Sequence, residues 1–334
     1  MINVAVVGCG YWGPNVIRSF SQLENAELHT VCDIDKSKLA HIKNMYPKVN
    51  ITTDYNDILN NPEIDAVVIA TPPPTHYALA KDALLKDKHV LLEKPMTKTL
   101  SEAQELVNLA NKKSRVFMID HTFEYHPAIR KIKQIIESGE IGDIYYVNAH
   151  WFALGLLQPE ANVVFDLATH VFSIINYIIG ENPLSVIASG QGYIRPEIEE
   201  MANIVVKYPK NIIANIQVSW LEPHKTRTLT IIGSKKMVIF DLLNNEEQVK
   251  IYDQGISVDI DDGKPEYRLG DTYAPNISKK EPLRIEAEHF IDCIINNKEP
   301  MSSGKSGIIV LKQLLAVNES LKNKGVEVLL SQKM

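Results

Sequence analysis

The chain of 334 residues is 45% hydrophobic, so it is long enough to bury a substantial core and fits two domains better than one. Its formal net charge of -6 argues against a general nucleic-acid binder, because such proteins carry basic patches that neutralise phosphates. No uninterrupted apolar run approaches the length of a membrane span, so neither nucleic acid nor a membrane is an expected partner.

The first third of the chain alternates short β-branched runs with longer helical patterns, which is typical of βαβ units around a parallel sheet. The strands are expected to be buried on both sides, because their apolar runs lack polar alternation. They are predicted at residues 3–7, 28–32, 66–70, 89–92 and 116–119. Helices are predicted between them near residues 14–23, 36–46, 75–86 and 101–113.

After about residue 122 the pattern changes. A helix near 127–137 and a strand at 144–151 precede a long apolar helix near 166–179. Strand-like segments without intervening helices then follow at 184–192, 201–208, 212–220, 226–232 and 236–241. Such a run predicts an α+β domain with a large, mostly antiparallel sheet.

The last part of the chain begins with residues 253–282, whose Asp, Gly, Pro and Lys content predicts a long loop. Helices are predicted near 283–296 and 304–323. The division that follows is a first domain over residues 1–121 and a second over 122–334, with a last helix that could pack back on the first domain.

The cysteines Cys9, Cys32 and Cys293 are odd in number, widely spaced and free of any C-x-x-C pattern. This spacing indicates neither a disulfide framework nor a zinc knuckle, and it favours a reducing cytoplasm. The apolar run at the start of the chain is too short for the core of a secretory signal, which also favours the cytoplasm.

A glycine-rich turn, Gly8 to Gly13, reads G-x-G-x-x-G directly after the first strand and at the start of a helix. Gly8 permits a tight turn, Gly10 allows the backbone to approach a pyrophosphate, and Gly13 allows close packing of the helix on the strand. Tyr11 and Trp12 are included in the predicted cofactor site. A plain glycine turn is the alternative, which the preceding strand and the following acidic residue disfavour.

That acidic residue, Asp33, lies twenty positions after Gly13 at the end of the second predicted strand. A carboxylate there can accept hydrogen bonds from the ribose hydroxyls of the adenosine and favours NAD, because a 2′-phosphate would meet a like charge. Lys36 and Lys38 keep NADP open as an alternative. Asp35 is expected to cap the next helix.

Residues 70–76, Ala-Thr-Pro-Pro-Pro-Thr-His, leave the third buried strand and enter another predicted helix, so they lie along the same carboxyl edge of the sheet. We expect Thr71, Pro72 and His76 to belong to the cofactor site. Thr75 is expected to be the N-cap of the helix. His76 is interpreted as a residue of the helix start rather than as a catalyst.

Glu93-Lys94-Pro95 ends the fourth predicted strand at the ligand-binding edge. Glu93 and Lys94 are therefore assigned to the cofactor site. Burial lowers the pKa of a lysine, which would make Lys94 a proton carrier useful near neutral pH. A surface salt bridge between Lys94 and Glu93 is the alternative.

Asp166 and His170 are four residues apart in a predicted helix, so they share a face and can meet one substrate hydroxyl. His170 could take the hydroxyl proton as the hydride leaves. A metal pair is a competing interpretation, but only two ligands are visible, so no metal is predicted. A structural histidine is the other alternative.

Taken together, these ordered motifs resemble the glucose–fructose oxidoreductase, inositol dehydrogenase and rhizopine catabolism family over nearly the whole chain. The resemblance implies an NAD-dependent oxidoreductase acting on a CH–OH group, with an N-terminal Rossmann domain. It also implies a homodimer or homotetramer built through the open C-terminal sheet. Catalysis and substrate binding would then fall to the residues that match the family's lysine, aspartate and histidine, namely Lys94, Asp166 and His170.

Four further segments are similar to the family branch that acts on nucleotide sugars, at residues 11–15, 165–170, 219–225 and 233–237. This similarity implies oxidation of the 3-hydroxyl of UDP-N-acetylglucosamine or of its uronic acid. Trp151 to Gly155 lack polar groups that relatives present, and such an apolar wall suits the neutral acetamido sugar. His224, Lys225 and Arg227 could bind the diphosphate, although exposed surface charges are the alternative.

Within this scheme His170 is the preferred base, Lys94 polarises the developing carbonyl oxygen, and Asp166 orients the histidine or a sugar hydroxyl. Lys94 as the base stays open. The rival reactions are reduction of a 3-keto nucleotide sugar and oxidation of free inositol or a free sugar. A catalytically inactive NAD-binding regulator is the rival from another class, and the intact catalytic set disfavours it.

Overall fold

The structure is a computed structural model that describes residues 1–155, 157–158, 161–258 and 264–330. The chain divides into two compact units. The first contains Met1–Tyr125 and Lys280–Leu311, and the second contains His126–Lys279 and the described residues from Lys312 onward. Residues 280–311 therefore group with the first unit, whereas the sequence analysis placed them in the second domain.

The first unit contains a six-stranded parallel sheet in the order β3-β2-β1-β4-β5-β6. Its strands are β1 (Ile2–Val7), β2 (Ala26–Cys32), β3 (Asn50–Thr52), β4 (Ala66–Ile69), β5 (His89–Leu92) and β6 (Phe117–Ile119). The five predicted strands are confirmed. The three-residue β3 was not predicted, because it lies at the sheet edge and lacks a buried apolar run.

The described α-helices are α1 (Gly13–Ser21), α2 (Lys36–Met45), α3 (Tyr55–Leu59), α4 (His76–Leu85), α5 (Leu100–Lys113), α6 (Pro127–Glu137), α7 (Thr169–Ile179), α8 (Pro282–Asn296) and α9 (Gly304–Lys322). Asp35 caps α2 as predicted, since its side chain accepts the Ser37 amide at 2.9 Å. Helix α8 packs on α1 through an edge-to-face contact between Phe290 and Phe20, whose ring centroids are 6.3 Å apart. No helix in the described part of the chain is both long and apolar enough to cross a bilayer.

The second unit contains a nine-stranded sheet in the order β14-β13-β12-β11-β7-β10-β9-β8-β15. Its strands are β7 (Ile144–Leu154), β8 (Ser185–Gln191), β9 (Met201–Lys207), β10 (Ile213–Ser219), β11 (Leu221–Gly233), β12 (Met237–Asp241), β13 (Val249–Val258), β14 (Pro265–Tyr273) and β15 (Val328–Leu329). Only the β10–β7 pair is parallel among these described strands. The predicted fold class, a Rossmann domain followed by an α+β domain with a mostly antiparallel sheet, is confirmed.

Along the central strands of this sheet, alternate residues point to one face, which is apolar and buried. Val147, Ala149 and Trp151 of β7 belong to this face, and so do Leu229 and Ile231 of β11. Helix α7, which follows the π-helical turn Val164–Ala168, contacts β7. The two elements that carry the candidate catalytic residues of this unit therefore adjoin the buried layer.

The prediction of a long loop over residues 253–282 is wrong for residues 253–258 and 265–273. Residues 249–258 and 265–273 form the antiparallel pair β13–β14, while residues 259–263 of the predicted loop lie outside the described residues. All nine residues of β14 are exposed, so this strand carries no apolar alternation that a sequence pattern could reveal. Its pairing rests on backbone hydrogen bonds to β13.

Candidate functional site

The glycine turn follows β1 and leads into α1 as predicted. Gly8 has a φ of +102°, and a Cβ atom added there would lie 2.5 Å from the Ala70 carbonyl oxygen. A Cβ at Gly13 would collide with the Gly8 carbonyl, whereas a Cβ at Gly10 would meet nothing within 4 Å. Gly8 and Gly13 are thus required by the packing of the turn itself. Gly10 leaves open backbone surface of the kind that a pyrophosphate needs.

Gly10→Ala is therefore expected to weaken NAD binding by about tenfold or more, which is about 1.4 kcal/mol, without destabilising the fold. The added methyl group occupies space that the protein leaves empty and that the cofactor would use. Isothermal titration with NAD and thermal unfolding check the two parts of this result. Gly13→Ala is the matched comparison and is expected to lower both affinity and stability. An unchanged NAD affinity in Gly10→Ala would show that the cofactor does not approach this residue.

Asp33 lies at the end of β2 with 9% of its surface exposed. Its Oδ2 accepts the Cys9 amide of the glycine turn at 2.6 Å, and its Oδ1 accepts the Asp35 amide at 2.8 Å. Each carboxylate oxygen has a second lone pair, so both can also accept a ribose hydroxyl. The Cys9 amide of the glycine turn thus fixes the position of the Asp33 carboxylate. The spacing of the motif did not predict this contact.

Apolar side chains stand exposed around this edge. Ile34, directly after Asp33, is 92% exposed, and Tyr11 in the glycine turn is 91% exposed. Trp12 is partly exposed. An adenine ring could cover such a surface, and Ile34 is a candidate contact that the sequence analysis missed, because exposure of a single apolar residue leaves no sequence signal.

His76 is fully buried at the start of α4. Its Nδ1 lies 2.9 Å from the Pro95 carbonyl oxygen and its Nε2 lies 2.8 Å from the Thr71 carbonyl oxygen. Burial lowers the pKa of His76, while both backbone contacts oppose that shift. The ring thereby joins the loops that follow β4 and β5, which indicates a positioning role, and a direct contact with the cofactor stays a prediction.

The neighbouring Thr75 is not the side-chain cap that the sequence predicted. Its hydroxyl donates to the Pro72 carbonyl oxygen at 2.8 Å and lies 2.7 Å from the Thr71 hydroxyl. No amide of α4 donates to it, because Pro73–Thr75 form a short 3-10 turn that precedes the helix. Thr71 and Pro72 are thereby tied into one rigid loop at the carboxyl edge of β4.

Lys94 follows β5 through Glu93, and the Lys94–Pro95 peptide bond is cis. The Glu93 carboxyl is buried, and its Oε2 accepts the backbone amide of Lys94 at 3.0 Å. Burial, followed by the nearby Asp120 carboxyl, raises the pKa of Glu93 well above its usual value. The charge of Lys94 opposes this shift, so the alternative of a salt bridge between Lys94 and Glu93 stays open.

Glu93 belongs to a cluster of three buried carboxyl groups, with Asp120 after β6 and Glu286 on α8. Asp120 acts on the pKa of both glutamates and also accepts the Thr122 hydroxyl, while Oε1 of Glu93 and both carboxyl oxygens of Glu286 are buried with no hydrogen-bond partner among the described residues. Burial and a neighbouring carboxyl group both favour the neutral form of a carboxylic acid. Burial first, and Asp120 second, raise the pKa of Glu286 well above its usual value.

Glu286→Gln is expected to raise the free energy of unfolding at pH 8 and to change it little near pH 4.5. The folded protein keeps a proton on Glu286 that the unfolded chain releases above the ordinary value of 4.5, so wild-type stability falls as pH rises, by about 1.4 kcal/mol per pH unit. The variant lacks this titration and keeps the size of the side chain. Urea unfolding at several pH values measures the difference, with Glu288→Gln on the same helix as control. A gap between variant and wild type that does not grow with pH would contradict the assignment.

Asp166 lies in the π-helical turn Val164–Ala168, and His170 lies in the first turn of α7. The indole Nε1 of Trp220 donates to Asp166 Oδ2 at 2.9 Å, and Trp220 itself is 1% exposed. The structure thus places both predicted residues on consecutive turns of one unit, while Lys94 belongs to the other. No group of three His, Cys, Asp or Glu side chains within the described ranges could hold a metal ion.

Arg227 differs from the two other residues that were predicted to bind a diphosphate. His224 and Lys225 are exposed, whereas Arg227 is 9% exposed on the apolar face of the sheet. Its Nη1 donates to the Phe152 and Thr226 carbonyl oxygens at 2.7 and 3.0 Å, and its guanidinium carbon lies 5.0 Å from the Trp151 ring centroid. Burial lowers the pKa of Arg227 to about 10, and the charge of Asp166 opposes that shift.

The parallel sheet, the open glycine turn and the anchored Asp33 define an NAD-binding oxidoreductase of the Rossmann type. A family described as an oxidoreductase family with an NAD-binding Rossmann fold matches residues 2–121. The GFO/IDH/MocA C-terminal domain matches residues 129–239. The chain belongs to this GFO/IDH/MocA family, and its predicted class, an NAD-dependent oxidoreductase acting on CH–OH groups, is confirmed.

The sequence identity between this chain and individual relatives is low. The chain is 27% identical over 213 residues to the uncharacterized oxidoreductase YrbE of Bacillus subtilis, and the match covers 61% of each chain. It is 28% identical over 263 residues to a UDP-N-acetylglucosamine 3-dehydrogenase of Acidithiobacillus ferrooxidans, covering 78% of this chain and 80% of the relative. The solved structure of that organism's GnnA, also a UDP-N-acetylglucosamine 3-dehydrogenase, matches with a TM-score of 0.82 at 25% identity, over 96% of this chain and 98% of GnnA.

Proposed function

We propose that the protein oxidises the 3-hydroxyl of a UDP-linked amino sugar, UDP-N-acetylglucosamine, to the 3-keto sugar with NAD as the acceptor. The observation that carries this proposal is the similarity to a UDP-N-acetylglucosamine 3-dehydrogenase over 80% of that relative's length. The buried Arg227 and the half-buried Asp166 of the second unit are consistent with a polar sugar ligand.

The glycine turn and Asp33 would hold the cofactor, with Thr71, Pro72 and Glu93 at the same sheet edge. When bound there, NAD supplies the acceptor for the hydride that leaves the carbinol carbon. His170 is proposed to take the hydroxyl proton and Lys94 to stabilise the developing carbonyl oxygen. Asp166 is proposed to orient His170 or a sugar hydroxyl, and its position is supported by the Trp220 indole.

The neutral acetamido sugar is favoured over the uronate because the residues before Gly155 are largely apolar. Trp151 is buried, and Phe152 and Ala153 are partly buried. A uronate carboxylate would lose hydration against such a wall without a matching donor. Lys225 and His224, exposed on β11, are proposed contacts for the diphosphate.

Formation of reduced nicotinamide tests the proposal, using NAD with a panel of UDP- and dTDP-sugars, free sugars and inositol. We expect turnover with UDP-N-acetylglucosamine, and transfer of deuterium to the cofactor from substrate labelled at carbon 3. Turnover of free sugars without the nucleotide would favour a free-sugar dehydrogenase instead. Binding of NAD with no turnover of any substrate, in either direction, would favour the inactive regulator.

We also propose that the protein forms a homodimer or homotetramer through the sheet of the second unit. Its edge strand β14 exposes large apolar side chains, with Tyr267 at 69% and Leu269 at 81% exposure. Such a strand invites pairing with another chain. Light scattering coupled to size-exclusion chromatography should give two or four times the 37.6 kDa of one chain. The cytoplasmic setting stays a prediction, consistent with three free and buried cysteines.

A further inference from the structure

Arg227 is a charged residue in an apolar row. The residues of β11 that point to the buried face are Arg227, Leu229 and Ile231, and the last two are fully buried. Arg227 pairs in register with Trp151 of β7. It therefore lies at the end of the layer, on the same face as the tryptophan and within the electrostatic influence of Asp166.

The contacts of Arg227 use only part of its hydrogen-bonding capacity. A guanidinium has five N–H donors, and the two on Nη1 are directed to the Phe152 and Thr226 carbonyl oxygens. Nε and Nη2 of Arg227 have no acceptor among the residues that the structure describes. Neither atom is among the buried polar atoms that lack a partner, so both keep contact with solvent and are open to an acceptor on a ligand.

The neighbours of Arg227 limit what this acceptor can be. One face of the guanidinium lies on the Trp151 ring, so the approaching group must fit beside an apolar surface. Asp166, the proposed partner of the reacting hydroxyl or of its base, acts on the charge of Arg227. A ligand group that reaches Arg227 is thus close to the reacting carbon, and a carbonyl oxygen with an apolar methyl group meets both conditions.

We propose that Arg227 binds the carbonyl oxygen of the 2-acetamido group, on the ring carbon next to the oxidised one, and thereby selects acetamido sugars. This inference rests on the proposed function and refines it. It separates Arg227 from the exposed Lys225 and His224, which stay the proposed contacts for the diphosphate.

Steady-state kinetics of wild type, Arg227→Gln and Arg227→Lys with UDP-N-acetylglucosamine and UDP-glucose test the inference. For Arg227→Gln we expect kcat/KM to fall by about 30-fold or more with the acetamido sugar and by about threefold at most with UDP-glucose. The Kd of UDP should stay within about twofold, because the diphosphate is bound elsewhere. Arg227→Lys keeps the positive charge. If the glutamine variant does not fold, the kcat/KM values of the lysine variant with the two sugars are compared instead. Arg130→Gln, at an exposed position of α6, is the control and should leave the kinetics with both substrates unchanged.

Three outcomes would overturn the inference while leaving the proposed function intact. Equal losses with both sugars would show that Arg227 only supports the fold. Weaker UDP binding would assign it to the diphosphate. With UDP-N-acetylglucosaminuronate as a third substrate, a loss confined to that sugar would assign Arg227 to its carboxylate. A wild-type enzyme that oxidises neither UDP-sugar would instead overturn the proposed function, and the inference with it.

Discussion

Lys94→Ala is expected to lower turnover by about two to four orders of magnitude, the usual effect of removing a positioned acid or base, while NAD binds with unchanged affinity. Lys94 follows β5 at the carboxyl edge of the parallel sheet, where ligands of such sheets bind. Its backbone amide is fixed by the buried Glu93 carboxyl. Turnover under saturating substrate, and isothermal titration with NAD, measure the two quantities separately.

Lys98→Ala is the matched control, because Lys98 is an exposed lysine four residues further along the same loop. It should leave both turnover and NAD affinity unchanged. Retained turnover in Lys94→Ala would remove this residue from the chemistry. A loss of NAD affinity that accounts for the whole effect would assign Lys94 to cofactor binding instead. Partial recovery of Lys94→Ala by added alkylamines, with a rate that increases with the basicity of the amine, would favour Lys94, rather than His170, as the proton acceptor.

The sequence predicted the first unit well because its strands are buried on both faces. Val4, Val6, Val67 and Leu91 are almost fully buried, so β1, β4 and β5 each read as an unbroken apolar run. The lack of such burial explains why the residues of β14 were predicted to form a loop. A strand that is exposed on both faces has no burial pattern, and its pairing with β13 rests on backbone hydrogen bonds and on the ion pair between Arg268 and Asp253.

The candidate site was predictable where function depends on local spacing, and not where it depends on distant partners. The glycine turn and Asp33 follow from the geometry of one βαβ unit. Trp220, which holds Asp166, is 54 residues away from it along the chain, and no local pattern links the two. Glu286 reaches Asp120 from α8 in the same way. A buried tryptophan or glutamate acquires such a role only through tertiary packing.

Asp166→Asn is expected to lower kcat by about two to three orders of magnitude, with little change in thermal stability. The substitution removes the negative charge that would orient His170 or the sugar hydroxyl. It keeps the size of the side chain, and the amide oxygen can still accept the Trp220 indole hydrogen that now donates at 2.9 Å. Pre-steady-state formation of reduced nicotinamide measures the loss at the hydride step.

Trp220→Phe separates position from charge, because it keeps the Asp166 carboxylate but removes its indole donor. We expect this variant to lose about tenfold in kcat, less than Asp166→Asn, since a misplaced carboxylate still acts in part of the population. Comparing the losses in kcat of the two variants distinguishes the position of the carboxylate from its charge. If Trp220→Phe is as inactive as Asp166→Asn at equal stability, the position of the carboxylate matters as much as its charge. If Asp166→Asn keeps full activity, Asp166 serves only to satisfy the buried indole, and the proposed catalytic set reduces to Lys94 and His170.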